Sequence, residues 1–75
     1  MSENLTSMIE IGRLISDTRK EQGLTQEELA GLSGTGRRFI SDIERGKPNV
    51  QMDKLLLVIC ALGLSVYICN RWMKK

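Results

Sequence analysis

Apolar residues recur along this chain at helical spacing, in short blocks punctuated by glycines. Ile11, Leu14, Ile15 and Thr18 share one face of a helix predicted over Ser7–Gln22. Asp17, Arg19, Lys20 and Glu21 lie mostly around its solvent side. Ser7 and Glu10 have capping-box spacing, and Gly23 supplies the left-handed residue that ends the helix. Thr25 and Glu28 repeat the capping-box spacing and open a second helix of about eight residues, too short to hold itself in water without packing on neighbours. Leu29 and Leu32 supply its apolar face, Ala30 permits close approach of another helix, and Gly34 is placed to end it.

A third helix is predicted over Gly36–Glu44. Phe39, Ile40 and Ile43 form its apolar stripe; Arg37, Arg38, Ser41 and Asp42 fall on the other face. Gly46, Lys47 and Pro48 form a loop. A fourth helix spans about Met52 to Leu62, with Asp53 in the first turn, where the helix dipole favours a negative charge. Leu55 to Leu62 is apolar at every position. Such a helix has more than one face to bury, and one copy of so small a chain cannot cover both.

After Gly63 the period changes. Leu64, Val66 and Ile68 alternate with Ser65, Tyr67 and Cys69, which predicts a strand. A lone strand leaves its backbone groups unpaired. The chain offers no second strand of similar quality apart from a weak candidate in the N-terminal arm. The same strand of a second subunit, paired by two-fold symmetry, solves the problem. Leu64, Val66, Tyr67 and Ile68 are therefore the expected dimerisation residues.

Composition narrows the class. Seventy-five residues, 41% hydrophobic and 27% charged, suit one folded domain with a modest core. The net charge is +2, divided −1, 0 and +3 over residues 1–23, 24–48 and 49–75. Affinity for nucleic acid would need a focused surface rather than bulk charge. Cys60 and Cys69 are expected as reduced, buried thiols, with a disulfide as the minority reading. Two thiols and no histidine cannot close a zinc site. No basic n-region opens the chain, so no signal peptide is expected. The apolar run from Leu55 to Cys69 falls short of the about twenty residues of a membrane span. The expected location is cytoplasmic.

The stretch LTQEELAGLSGTGRRFISDIERGK, Leu24–Lys47, then reads as a helix-turn-helix. LTQEELA, a turn, and ISDIERGK resemble the Xre family of repressors related to phage Cro and cI, over roughly residues 10 to 63. The ending LLLVICALGLSVYIC is similar to HipB-like antitoxins. The implied fold is mainly α: a four- to five-helix lambda-repressor-like DNA-binding domain with a short C-terminal β-strand. The layout is an arm (1–6), the helix-turn-helix domain (7–63), a dimerisation strand (64–69) and a basic tail (70–75).

Groove reading needs long polar side chains near the start of a helix, and arginine makes two parallel hydrogen bonds to guanine. Arg37 and Arg38 sit at the family's base-reading positions. Ser41 suits a base or a phosphate. Asp42 suits cytosine, or more readily the orienting of Arg38 four residues back. The resemblance gives Gln26 a phosphate contact, Arg45 and Lys47 suit the DNA backbone, and plain solvation is the competing reading for each cation. The resemblance also pairs Arg19 with Glu44 as a structural ion pair. Two departures stand out: Thr35 replaces an apolar turn residue, so looser turn packing is expected, and Gly36 replaces the usual hydroxyl cap of the third helix.

The expected partners are double-stranded DNA and a second copy of the chain, with no membrane and no cofactor. The expected function is a homodimeric repressor on a palindromic operator. The alternative is an antitoxin that binds a HipA-like toxin kinase and regulates its own operon. Trp72, in the tail, is either an anchor for such a partner or folded back on the body. An enzyme is not expected: there is no histidine, no phosphate-binding loop and no metal cluster.

Overall fold

The computed structural model describes residues 7–68. The expectations for the arm at 1–6, for Cys69 and for the tail with Trp72 lie outside the described residues. Four helices follow in order: α1 (Met8–Glu21), α2 (Gln26–Ser33), α3 (Arg37–Glu44) and α4 (Met52–Ala61). Each lies within a residue or so of its predicted span.

The caps explain the boundaries. Ser7 Oγ accepts from the Glu10 amide at 3.2 Å, opening α1. Thr25 and Glu28 form a reciprocal capping box at α2, with bonds of 3.0 and 2.8 Å. Gly36 caps α3 in an extended conformation with no side-chain bond. Each helix is followed by a glycine at positive φ, the most consequential being Gly46 at +82°. There the Gly46 amide donates to the Ile43 carbonyl at 3.0 Å and the Lys47 amide to the Asp42 carbonyl at 3.1 Å. This is a Schellman ending. A Cβ on Gly46 would also stand 2.9 Å from the Ile9 Cα.

Ile15, Leu29, Ala30, Ile40, Ile43, Leu55, Val58 and Leu62 form the core. Every helix contributes to it, and α3 packs against both α1 and α2. The α1–α3 crossing is close because of Gly12: a Cβ there would collide with the Ile43 carbonyl oxygen and stand 3.2 Å from the Glu44 backbone. The Gln22 side-chain Nε2, just after α1, donates to the Leu62 carbonyl at 2.8 Å and ties α1 to the end of α4.

Four expectations about packing need correction. Leu14 is half-exposed, because the face of α1 that meets α3 is Gly12, Ile15 and Arg19. Leu32 is exposed, because α2 buries Leu29, Ala30 and Ser33 instead. Ser33 satisfies its hydroxyl at the Leu29 carbonyl, 2.9 Å away. Cys60 is exposed rather than buried, because α4 turns Leu55, Val58 and Leu62 inward and leaves Cys60 on the opposite side. The turn before α3 is not loose: Thr35 Oγ1 lies 2.8 Å from Ser33 Oγ, and the Thr35 amide donates to the Ala30 carbonyl at 3.0 Å.

The second face of α4 is open in the single chain. Met52, Leu56 and Leu57 are exposed, as are Val66, Tyr67 and Ile68 beyond it. Leu64 packs against the core. Residues 64–68 carry no backbone ladder, and there is no strand among the described residues.

Candidate nucleic-acid interface

The site is built on α3, whose inner face is fixed by Ile40 and Ile43, both completely buried. With that stripe inward, Arg37 and Arg38 stand exposed in the first turn. Ser41 and Asp42 are half-buried one turn later. Arg45 and Lys47 are exposed in the loop that follows. The arginines, serine and aspartate thus share the outward side of one short helix, as the polar spacing predicts.

Asp42 does not orient Arg38. Its Oδ1 accepts from Arg45 Nη2 at 2.8 Å, and its Oδ2 lies 3.5 Å from Lys47 Nζ. The i,i+3 spacing and the Schellman turn bring those two cations back over the helix end. The Arg45 hydrogen bond, reinforced by Lys47, holds the Asp42 carboxyl below the usual carboxylate range despite an opposing contribution from burial.

Behind α3 lies the expected ion pair. Arg19 Nε donates to Glu44 Oε2 at 2.6 Å and Nη2 donates to Oε1 at 3.1 Å, a two-pronged pairing of nearly buried side chains. Arg19 Nη1 also donates to the Leu24 carbonyl at 2.7 Å, at the entry to α2. Burial pushes the Glu44 carboxyl up, but hydrogen bonds from Arg19 and Gln26 outweigh it and hold the group below its ordinary value. The Glu44 hydrogen bond likewise raises the Arg19 guanidinium, against burial.

Gln26 enters this cluster, which its sequence position did not reveal. Its Nε2 donates to Glu44 Oε1 at 3.1 Å. One amide N–H is thereby committed, leaving the second N–H and the amide oxygen for another partner. The chain of contacts runs from α1 through the end of α3 to the start of α2, and it sets how α2 and α3 sit together.

A short helix with a polar outer face, a preceding helix joined by a glycine turn, and a scaffold locking their angle make up one motif. A helix-turn-helix family model matches residues 15–68. The chain belongs to the helix-turn-helix family of DNA-binding transcriptional regulators. Among relatives of this family, it is 47% identical over 68 residues to the "Uncharacterized HTH-type transcriptional regulator y4mF" of Sinorhizobium fredii, covering 91% of this chain and 90% of that one. It superposes on the restriction-modification controller protein C.AhdI of Aeromonas hydrophila with a TM-score of 0.69 and 34% identity, over 77% of this chain and 84% of that one. A structure titled "HipA-HipB-O2-O3 complex" contains a chain similar in fold, with a TM-score of 0.83 and 24% identity, over 93% of this chain and 99% of that one. Among the described residues, no helix of this helix-turn-helix protein is long and apolar enough to cross a membrane.

Proposed function

We propose that this regulator is a homodimeric repressor that binds a palindromic operator with α3 in the major groove. The observation that carries the reading is the exposed Arg37–Arg38 pair on the first turn of a helix whose opposite face is locked into the core. Arg37 and Arg38 read base edges, with guanine the preferred partner, and Ser41 adds a contact to a base or phosphate. Gln26, Arg45 and Lys47 hold the DNA backbone, assisted by the amides at the start of α2.

The second copy docks through the open side of α4, with residues 64–68 pairing across the two-fold axis. Exposed Met52, Leu56 and Leu57 together with Val66, Tyr67 and Ile68 support this. Residues 7–63 act as the DNA-binding unit, the arm and basic tail flanking it. The protein works in the cytoplasm, on the nucleoid when DNA-bound. It regulates by occupancy and performs no catalysis.

A second reading makes the same molecule an antitoxin. The fold likeness to the HipB chain, which extends through nearly the whole of both chains, favours it. A HipA-like kinase encoded by a neighbouring gene, captured by this protein in a stable complex, would support it; separate elution of the two would remove it. The primary reading is tested with Arg37→Ala/Arg38→Ala. Operator discrimination should vanish while helical circular dichroism persists. An unchanged footprint at wild-type affinity would overturn the α3 assignment.

A further inference from the structure

Asp42 presents a puzzle on a DNA-facing helix. An acid one turn beyond Arg38 repels phosphates, and yet its side chain is only 14% exposed and is the hub of its end of α3. Its two carboxylate oxygens hold two different cations, Arg45 at 2.8 Å and Lys47 at 3.5 Å. Its main-chain carbonyl accepts from the amides of the same two residues, at 3.2 and 3.1 Å. Backbone and side chain of one residue therefore restrain the same two cations. Gly46, between them at φ +82°, makes the turn that lets both reach back.

Arg45 and Lys47 are otherwise free to wander: their side chains are 73% and 59% exposed. Ordering a long side chain on binding weakens affinity by roughly two- to tenfold. A carboxylate that orders both in advance removes part of that penalty, at the expense of some attraction to DNA of any sequence. Both oxygens already carry a cation, so a cytosine amino group would have to share an occupied oxygen.

Resting on the α3 reading above, we propose that Asp42 is a positioning residue that holds Arg45 and Lys47 as a two-cation clamp for one stretch of DNA backbone, and that it reads no base. The clamp sits at the end of the recognition helix and sets its register along the groove. The charge on Asp42 acts as a filter: it lowers general attraction to DNA more than it lowers binding at a site where the clamp engages.

The test is a double-mutant cycle on the full chain. The probes are a duplex selected by the wild-type protein from a random library and a duplex of random sequence. Asp42→Asn should tighten binding to the random duplex and cut the ratio of specific to random affinity about tenfold. The selected consensus should stay the same. In an Arg45→Ala/Lys47→Ala background the same substitution should leave that ratio unchanged, and Asp42→Glu should restore most of it in the parent. A purely structural role would lower the melting temperature without this coupling. The proposal is overturned if Asp42→Asn has the same effect with both cations removed, or if it changes base preference at one position of the consensus. A wild-type protein that selects no duplex overturns the α3 reading itself, and this inference with it; wild-type selection with an uncoupled Asp42 overturns only the inference.

Discussion

Arg19 and Glu44 lie twenty-five residues apart in sequence and meet in a two-pronged pair, at 2.6 and 3.1 Å, between α1 and the last residue of α3. Both side chains are at most 10% exposed. The pair orients more than it stabilises. Removing two charges from water offsets much of their attraction, but removing one alone strands the other. Because Glu44 also accepts from Gln26, one carboxylate sets α3 against α1 and the start of α2 together.

Arg19→Met should therefore cost about 3–5 kcal/mol of unfolding free energy. That is a large share of the total for a domain of this size, on the order of 4–11 kcal/mol. Adding Glu44→Gln to Arg19→Met should recover part of the loss, since an amide leaves no unpaired charge. Urea unfolding measures both. Additive losses in the double variant would mean that the two residues are not acting as a pair.

The same carboxylate gives a pH dependence of known sign. The folded protein holds Glu44 below its ordinary pKa, so the unfolded chain takes up a proton first as pH falls. The stability due to Glu44 is complete above the ordinary carboxylate range. It is lost as pH drops through the interval down to the folded value. Asp42 is shifted in the same direction. Arg19 is raised from an already high value, so its contribution stays in place throughout neutral pH. Unfolding followed from pH 7 to pH 3 should show stability falling with acid, and Glu44→Gln should flatten part of that slope.

Two glycines inside helices should respond oppositely to alanine. Gly31 has nothing within 4 Å of where a Cβ would stand, so Gly31→Ala should stabilise by up to about 1 kcal/mol through helix propensity. At Gly12 the new methyl meets the Ile43 carbonyl and the Glu44 backbone. Neither is the end of a flexible side chain. Gly12→Ala should destabilise by about 1–3 kcal/mol and weaken DNA binding, because relief of the clash moves α3. Thermal melts of the two variants, measured side by side, check the opposite signs.

The exposed side of α4 and the residues after Gly63 should hold the second copy. Leu57→Lys and Val66→Pro each place an incompatible group there, a charge on an apolar face in one case and a lost ladder donor in the other. Sedimentation should show each variant shifted toward monomer. A mass identical to that of the unaltered protein in both would mean that the copies meet elsewhere, or not at all.

Much of this molecule could be read from residue order because its helices are bounded by local chemistry. Ser7, Thr25, Gly23 and Gly34 act on residues only a few positions away, and spacing reveals them. The outward side of α3 followed from its stripe of Phe39, Ile40 and Ile43. Contacts between helices were less visible. Leu14 and Leu32 fit an amphipathic pattern but face water, since α1 turns Gly12, Ile15 and Arg19 inward and α2 buries Leu29, Ala30 and Ser33. A glycine in mid-helix was the available clue at Gly12. Spacing matched Asp42 with Arg38, four residues back, whereas the fold brings Arg45 to it. The turn at Gly46 decides for Arg45, and that turn is a three-dimensional event.

The proposed reader of DNA is a pair of α3 helices acting through Arg37 and Arg38. Selection of duplexes from a random library by the purified protein tests it most directly, with the Arg37→Ala/Arg38→Ala variant in parallel. A two-fold symmetric consensus with half-sites about 34–36 Å apart is expected, and it should be lost in the variant. An asymmetric single site, or the same consensus recovered by the variant, would contradict it.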